Sequence, residues 1–236
     1  MIVNVVLGGS GFLGRSLVTA LTQTDAKVIH FDKANPENPI DLSDGVVLGE
    51  VLRESLSELP NLVEIRMAVV AGYSVFTESS DRTKKEIDDV ISANITLPIM
   101  ALNSLLEICQ EKGVPGSMVL TSSVFAHRVP NFSNYSALSR RNSEIYGASK
   151  AALEQLTRYY AVSLGISGIR VNAVAPGGIY DPETHTDDFV KKYSRDTALG
   201  RMTTVEEVID VIKFLLGPGS SGITGQVLRV DAGFRL

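Results

Sequence analysis

Cysteine is almost absent from this 236-residue chain, and its one copy, Cys109, lies in the apolar run IMALNSLLEICQ. One cysteine excludes a disulfide within the chain, and its neighbours favour a buried hydrophobic side chain over a reactive nucleophile. Histidine is nearly as scarce. His30, His127 and His185 are scattered without metal-ligand spacing, so we expect neither a bound metal nor a catalytic histidine.

The chain also lacks a surplus of positive charge. Its 22 Lys and Arg residues against 27 Asp and Glu give a net charge of −5, with no run of like charges. Nucleic acids and acidic membrane surfaces are therefore not expected as partners. The apolar opening MIVNVVL has no basic leader and runs into glycines, which is atypical of a signal peptide or a membrane span. We expect a cytoplasmic protein.

No internal repeat, low-complexity tract or linker divides the sequence, so residues 1–236 are expected to form one domain. Short β-branched runs alternate with longer amphipathic stretches, which indicates strand-helix units on a parallel sheet. The runs are nearly continuous in apolar residues, as expected for a sheet covered on both faces. The predicted strands are 2–7, 27–31, 64–71, 117–122, 169–175 and 226–230, and the clearest predicted helices are 12–22, 81–111, 143–164 and 204–216.

This pattern predicts a doubly wound, Rossmann-like α/β fold with helices on both faces of the sheet. The segment VVLGGSGFLGRSL places Gly8, Gly11 and Gly14 between the first strand and the first helix. Glycines there permit a tight turn and close approach of backbone to a pyrophosphate, while the helix N-terminus supplies amides and a positive dipole. A turn that merely needs flexible residues is the alternative, but the strand before and the helix after favour a dinucleotide site.

Asp32 ends the second predicted strand, about 20 residues beyond the glycine loop. A carboxylate there can accept hydrogen bonds from both ribose hydroxyls of an adenosine and repel a 2′-phosphate, which predicts NAD rather than NADP as cofactor. Lys33 qualifies this prediction, because a cation beside the carboxylate could accommodate the phosphate of NADP; a solvated surface lysine is the alternative.

Tyr146 and Lys150 lie four residues apart in SEIYGASKAAL and would share one face of a helix. Such spacing arises often by chance, so the neighbouring dinucleotide site gives it meaning. An ammonium held near a phenol, with the nicotinamide charge, is expected to lower the pKa of the tyrosine from about 10 toward neutrality. The phenol could then exchange a proton with a carbonyl or alcohol oxygen while hydride passes to or from the nicotinamide.

Several motifs, in order, resemble the short-chain dehydrogenase/reductase family across nearly the whole chain. They are GGSGFLG, VVAG, SANITLP, VLTSS, YGASK, NAVAPGGI and ITGQVLRVDAGF. The resemblance implies that Tyr146 is the acid/base and that Lys150 also binds the nicotinamide ribose. It implies a serine that polarises the substrate oxygen, for which we choose Ser123 and expect Ser122 to pack or cap at the strand end. Asn94 would help to hold a water that links the lysine to solvent.

The same motifs imply the cofactor contacts. Asp41, in IDLSDG, resembles the family aspartate near the adenine ring, although it could also cap a helix starting near Ser43. The predicted cofactor-binding set is Gly8, Ser10, Gly11, Phe12, Leu13, Gly14, Asp32, Asp41, Ala71, Gly72, Tyr146, Lys150, Pro176, Gly177 and Ile179.

The sequence departs from the compact family pattern in two places. Phe12 and Leu13 give the glycine spacing of the longer nucleotide-sugar enzymes, and the loop at 126–145 is longer than in most compact members. That loop should border the substrate, and together with PGGIYDPET it resembles a branch associated with bacterial surface-sugar biosynthesis. On it, Arg128, Arg140 and Arg141 could bind a phosphate or carboxylate, and His127 could contact substrate; a solvated loop is the alternative.

Two classes of function remain open at this point. One is an NAD-dependent oxidoreductase that interconverts a secondary alcohol and a ketone, on a sugar or a related small polar metabolite. The other is a dinucleotide-binding regulator without turnover, and an epimerase or dehydratase that restores its own NAD is a further alternative. By resemblance, the long helices and the closing strand would pair across two-fold axes, so a homodimer or homotetramer is expected.

Overall fold

Six short runs of aliphatic residues form one parallel sheet in the computed structural model, which describes residues 1–35, 40–42, 45–135 and 141–236. The strand order is β2-β1-β3-β4-β5-β6, and every neighbouring pair is parallel. The strands are β1 (Ile2–Leu7), β2 (Lys27–Phe31), β3 (Glu64–Val69), β4 (Gly116–Thr121), β5 (Ile169–Pro176) and β6 (Val227–Val230).

Seven α-helices in the described part of the chain connect and cover these strands. They are α1 (Phe12–Thr22), α2 (Gly45–Ser57), α3 (Lys84–Ile91), α4 (Leu97–Lys112), α5 (Glu144–Gly165), α6 (Asp187–Arg195) and α7 (Val205–Leu216). One apolar core joins α2, α4 and α5 to a face of the sheet, and a second joins α1 and α7 to the other face. Successive strand residues alternate between the two cores, as Val5 and Val6 do, so both faces are covered and the predicted fold class is confirmed.

Most predicted boundaries agree with the structure to within one or two residues. β1, β2 and α1 match, while β3 ends two residues earlier than expected and β6 begins one residue later. The helix expected over 81–111 begins at Lys84, because Thr83 and Glu86 form a capping box at its start. It is also interrupted by a π-helical turn, Ser92–Thr96. The sequence reading missed α6, which is mostly polar and buries only Tyr193.

The helical run Lys84–Lys112 is long and apolar enough to cross a membrane, judged by length and composition alone. In the structure its apolar residues Val90, Leu97, Ala101 and Leu105 are buried against the protein. The run is thus a core helix, and it is weak evidence for a membrane segment. Its importance for the site is that it carries Asn94 to the edge of the sheet where the carboxyl ends of the strands meet.

Candidate active site

The loop after β1 is shaped by two glycines whose places no other residue could take without displacing the backbone. Gly8 has a positive φ of 93°, and a Cβ on it would lie 2.4 Å from the backbone nitrogen of Ala71. A Cβ on Gly14 would lie 2.0 Å from the carbonyl oxygen of Gly8. Gly11 is different, because a Cβ there would meet only that oxygen, at 3.5 Å. Gly8 and Gly14 therefore set the packing, and Gly11 leaves room for a ligand.

A cavity of about 930 Å³ opens beside this loop, over the carboxyl ends of the strands. It is the first of three cavities near the site, and we call it the cofactor cavity or dinucleotide cavity. Most of the predicted cofactor residues line it. They are Gly8, Gly11, Phe12, Leu13, Asp32, Asp41, Ala71, Gly72, Tyr146, Lys150, Pro176, Gly177 and Ile179. The volume, the glycine cradle and the start of α1 suit a dinucleotide. Ser10 and Gly14 are not among the lining residues and act by shaping the loop.

Asp32 is held by two backbone amides at the end of β2. The Ser10 amide donates to Oδ2 at 3.2 Å, and the Ala34 amide donates to Oδ1 at 3.0 Å. The carboxylate is thereby fixed at the rim of the cavity with lone pairs left for ribose hydroxyls. Lys33 lies 2.6 Å from Asp41 in an exposed ion pair, and both residues line the cavity beside Asp32. The proposed cap role of Asp41 involves Ser43, which lies outside the described residues.

Lys150 is 3% exposed and points into the site from α5. Its Nζ donates to the carbonyl oxygen of Thr121 at 2.7 Å and lies 5.6 Å from the centroid of the Tyr146 ring. Burial lowers the pKa of Lys150 to about 8, because the surrounding protein disfavours the charged form. A Cβ on Gly72 would approach this Nζ to 3.3 Å, so the glycine leaves the ammonium open to the cavity.

Asn94 ties three segments together from the π-helical turn. Its Oδ1 accepts from the Tyr73 amide at 2.9 Å, while its Nδ2 donates to the Tyr73 carbonyl and to the Ser149 hydroxyl, each at 2.9 Å. Ser149 in turn donates to the Tyr146 carbonyl at 2.7 Å. Asn94 is 1% exposed and does not line the cofactor cavity. The geometry gives it a bracing contact with α5, and its predicted part in holding water stays a prediction.

The two serines after β4 face different surroundings. Ser122 is 2% exposed, and its hydroxyl donates to Glu154 Oε1 at 3.0 Å and to the Lys150 carbonyl at 3.4 Å. Ser123 lines both the cofactor cavity and a second cavity next to it, and its Oγ accepts from the Phe125 amide at 3.2 Å. This placement supports Ser123 as the residue that would meet substrate.

Tyr146 lies in the first turn of α5 and, like Ser123, lines both cavities. Ser143 caps α5, its Oγ accepting from the Tyr146 amide at 3.2 Å. Burial raises the pKa of the Tyr146 phenol above its ordinary value, and interaction with the Ser123 side chain acts in the opposite direction. The predicted lowering of this pKa depends on Lys150 together with the charge of a bound nicotinamide and stays a prediction; among the protein's own groups, desolvation of the phenolate has the largest effect.

The second cavity, about 870 Å³, meets the first at Ser123 and Tyr146. Part of its aromatic wall comes from α6 and from the loop before it, where His185 stacks on Phe189 at 5.1 Å between ring centroids. Polar side chains enter this wall as well, namely Asn134, Asn142, Asp181, Thr184 and Thr186. A small ligand with both apolar and hydrogen-bonding surface suits such a cavity.

The long loop predicted to border the substrate contributes Asn134, Tyr135 and Asn142 to the second cavity, and most of its other described residues line a third cavity of about 710 Å³. His127 is there, with Nδ1 3.6 Å from Glu154 Oε1, and it does not line the cavity that contains Ser123. Arg141 lies 3.4 Å from Glu78 Oε2 and 4.1 Å above the Phe132 ring, and Arg128 donates to the Arg235 carbonyl. Arg140 lies outside the described residues.

Sequence reasoning missed several groups that complete the site. Tyr73 and Ser149 bracket Asn94, the Thr121 carbonyl holds Lys150, and Asn142 lies where the cavities meet. Only Asn142 had a detectable signal, because it directly precedes the helix-capping Ser143 and is thereby held near Tyr146. The others act through backbone groups or over long separations, which no local pattern reveals.

Comparison with known proteins gives consistent matches. A family profile described as enoyl-(acyl carrier protein) reductase matches residues 64–235. An L-xylulose reductase from Mus musculus is 32% identical over 98% of this chain and 95% of its own length. A glucose 1-dehydrogenase from Gluconobacter oxydans is 32% identical over 70% of this chain and 60% of its own length. The crystal structure of a short chain dehydrogenase from Leptospira borgpetersenii with bound NAD⁺ is 28% identical, with a TM-score of 0.88 over 99% of this chain and 92% of that chain.

Proposed function

This chain belongs to the short-chain dehydrogenase/reductase family of oxidoreductases, and on that basis we propose that it interconverts a secondary alcohol and a ketone with NAD. The observation that carries the proposal is the junction between the dinucleotide cavity and the second cavity, which we call the two inner cavities. There Ser123 and Tyr146 line both the dinucleotide cavity and the neighbouring cavity, with the Lys150 ammonium close to the Tyr146 ring. A substrate oxygen at this junction would be within reach of both hydroxyls.

Each residue has a separate part in the proposed reaction. Tyr146 donates a proton to the substrate oxygen during reduction, or accepts one during oxidation, and Ser123 polarises the same oxygen by hydrogen bonding. Lys150 binds the nicotinamide ribose and favours the phenolate of Tyr146 electrostatically. Bound nicotinamide dinucleotide supplies the hydride acceptor or donor. Asn94 braces the start of α5, and with it the position of the Tyr146 backbone.

We propose a sugar or a related polyhydroxylated metabolite as substrate. Sugar oxidoreductases are among the relatives, and the second cavity combines aromatic walls with several amide, hydroxyl and carboxylate side chains. Such a mixture is typical of sites that recognise hydroxyl groups on a small carbon skeleton. The narrower assignment to a bacterial surface-sugar branch rests on the long loop and the segment PGGIYDPET, and it stays a prediction.

The preference for NAD over NADP is also a proposal. Two of the lysines in the described lining are paired with carboxylates, Lys33 with Asp41 and Lys85 with Asp89, which leaves the Asp32 carboxylate as surplus negative charge at the end of β2. A 2′-phosphate there would meet two carboxylates.

We propose that the protein is located in the cytoplasm.

The direct test is turnover by the purified protein. We expect NADH to bind and to be oxidised when a ketopentose such as D- or L-xylulose is added. The loss of absorbance at the nicotinamide band measures this oxidation. Binding of NADH with no consumption across a panel of keto-sugars would contradict the oxidoreductase proposal and favour a regulator. Epimerisation or dehydration of a sugar with no net change in cofactor would identify the alternative, an epimerase or dehydratase that restores its own NAD.

Lys150→Ala is expected to weaken NADH binding and to lower kcat together. The variant loses the proposed ribose contact and the positive charge 5.6 Å from the Tyr146 ring. We expect about a tenfold rise in the Kd for NADH, measured by calorimetry, and a fall in kcat of about a hundredfold. Lys191→Ala, an exposed lysine on α6, serves as control. A variant with reduced kcat and unaltered NADH binding would require another role for Lys150.

A homodimer or homotetramer is proposed from the surface of α5. Tyr159, Val162 and Ile166 lie on one exposed stripe, with exposed fractions of 64%, 84% and 97%. Burying such side chains against a second copy stabilises each by about 1.5–3 kcal/mol. The three residues are spaced at helical intervals, so a two-fold axis beside α5 would bring the stripe against itself.

Val162→Asp is expected to reduce the mass of the assembly at micromolar concentration, measured by light scattering, because it places a charge in the proposed contact. Val63→Asp is the matched control, since Val63 is 60% exposed and lies before β3, away from α5. A monomer mass for the unaltered protein at that concentration would contradict the proposed assembly.

A further inference from the structure

Asn142 lies where all three cavities meet, and of the described residues it alone lines all three. It shares the inner two cavities with Ser123 and Tyr146, the residues proposed to meet the substrate oxygen. It directly precedes Ser143, the residue that caps α5 and accepts from the Tyr146 amide. The backbone that positions the tyrosine therefore also positions Asn142.

The orientation of the Asn142 amide is fixed by a residue from another part of the chain. The Ser74 hydroxyl donates to Asn142 Oδ1 at 2.7 Å, across a sequence separation of 68 residues. Ser74 lines the dinucleotide cavity and not the second cavity. With Oδ1 turned toward Ser74, Nδ2 on the other branch of the planar amide is turned away from it. Within the described part of the chain, Nδ2 donates no hydrogen bond.

We propose that Asn142 Nδ2 donates a hydrogen bond to a hydroxyl or carbonyl oxygen of the substrate next to the reacting carbon, and that Ser74 is the positioning residue that holds this donor. The proposal rests on the proposed oxidoreductase function and deepens it. It makes Asn142 a specificity-determining residue for polyhydroxylated ketones, because a polar amide that is desolvated without an acceptor disfavours substrates that lack the oxygen.

The test uses the full-length protein with NADH and L- or D-xylulose, whichever the unaltered protein reduces faster. Asn142→Asp keeps an oxygen that can accept from Ser74, but replaces the donor by a second oxygen with negative charge. We expect KM for the ketopentose to rise by about ten- to a hundredfold, with kcat and the Kd for NADH changing less than about threefold. Asn103→Asp is the matched control, because Asn103 is exposed on α4 and its Oδ1 likewise accepts from a hydroxyl, that of Tyr160, at 3.4 Å.

Ser74→Ala separates positioning from a general loss of structure. It should raise KM by about threefold, and the double variant Ser74→Ala/Asn142→Asp should raise it less than the product of the two single effects, because both act on one hydrogen bond to substrate. Thermal unfolding of each variant near that of the unaltered protein supports a local effect.

Three results would overturn the proposal. They are an unchanged KM in Asn142→Asp, a change in NADH affinity as large as the change in KM, and multiplicative effects in the double variant. In each case the unaltered protein still reduces the ketopentose, so the proposed function stands while the role of Asn142 fails. Absence of ketopentose reduction by the unaltered protein would instead overturn both.

Discussion

Tyr146→Phe is expected to abolish turnover while leaving NADH affinity within about twofold of the unaltered value. The phenylalanine ring still packs between the two inner cavities, but it has no proton to exchange with the substrate oxygen. General acid-base catalysis contributes about 10²–10⁴-fold to such reactions, and a loss in kcat at the upper end of that range is expected. Steady-state kinetics with a ketopentose and calorimetric titration of NADH would measure the two quantities.

Tyr159→Phe is the matched control for this variant, because Tyr159 lies on the same helix and is 64% exposed. It should retain full activity in a preparation that binds NADH. Comparable activity in Tyr146→Phe would remove the central step of the proposed mechanism.

Asp32→Ala is expected to narrow or reverse the preference between NADH and NADPH. The carboxylate is proposed to accept hydrogen bonds from the ribose hydroxyls, and the variant loses these charge-assisted contacts, worth about 1.5–3 kcal/mol each at most. Repulsion between a carboxylate and a 2′-phosphate at contact distance costs about ten- to a thousandfold in affinity in a partly solvated groove. The unaltered protein should therefore bind NADH much more tightly than NADPH.

The variant also removes two structural hydrogen bonds, since Asp32 accepts from the Ser10 and Ala34 amides. Asp32→Asn removes the charge and keeps one side-chain oxygen, so it retains at most one of these two amide hydrogen bonds and disturbs the loop less than Asp32→Ala does. Asp25→Ala, an exposed carboxylate before β2, controls for a general change in charge. Equal affinity of the unaltered protein for both cofactors would contradict the NAD proposal and give Lys33 the dominant part.

The parts of the site that the sequence predicted are governed by short-range rules. The glycine loop was recognisable because its residues must fit between a strand and the following helix, and the structure gives Gly8 a positive φ and Gly14 a contact that excludes any side chain. Tyr146 and Lys150 were recognisable because one helical turn places them on a common face. The doubly wound fold and the strand boundaries followed from nearly continuous apolar runs, whose alternate residues enter the two cores.

Other features depended on packing between distant segments. The polar helix α6 forms a wall of the second cavity although its own pattern carries little apolar signal. Of the long loop expected beside the substrate, Asn134 and Asn142 line the second cavity, whereas His127 and Arg128 line the third. The pKa of Tyr146 is predicted to fall under Lys150 and a bound nicotinamide together, whereas burial within the protein alone raises it; the sequence indicates which charges are near but not how far the phenol is desolvated.

By itself, the sequence determined which residues share a strand face, a helix face or a glycine turn, because those relations are fixed by backbone periodicity within a few residues. Only the tertiary structure decided which side chains meet across the chain. Ser74 and Asn142 are 68 residues apart and share one hydrogen bond. Ser122 donates to Glu154, while Ser123 and not Ser122 lines the second cavity. These choices depend on the packing of whole helices against the sheet, so no local pattern encodes them.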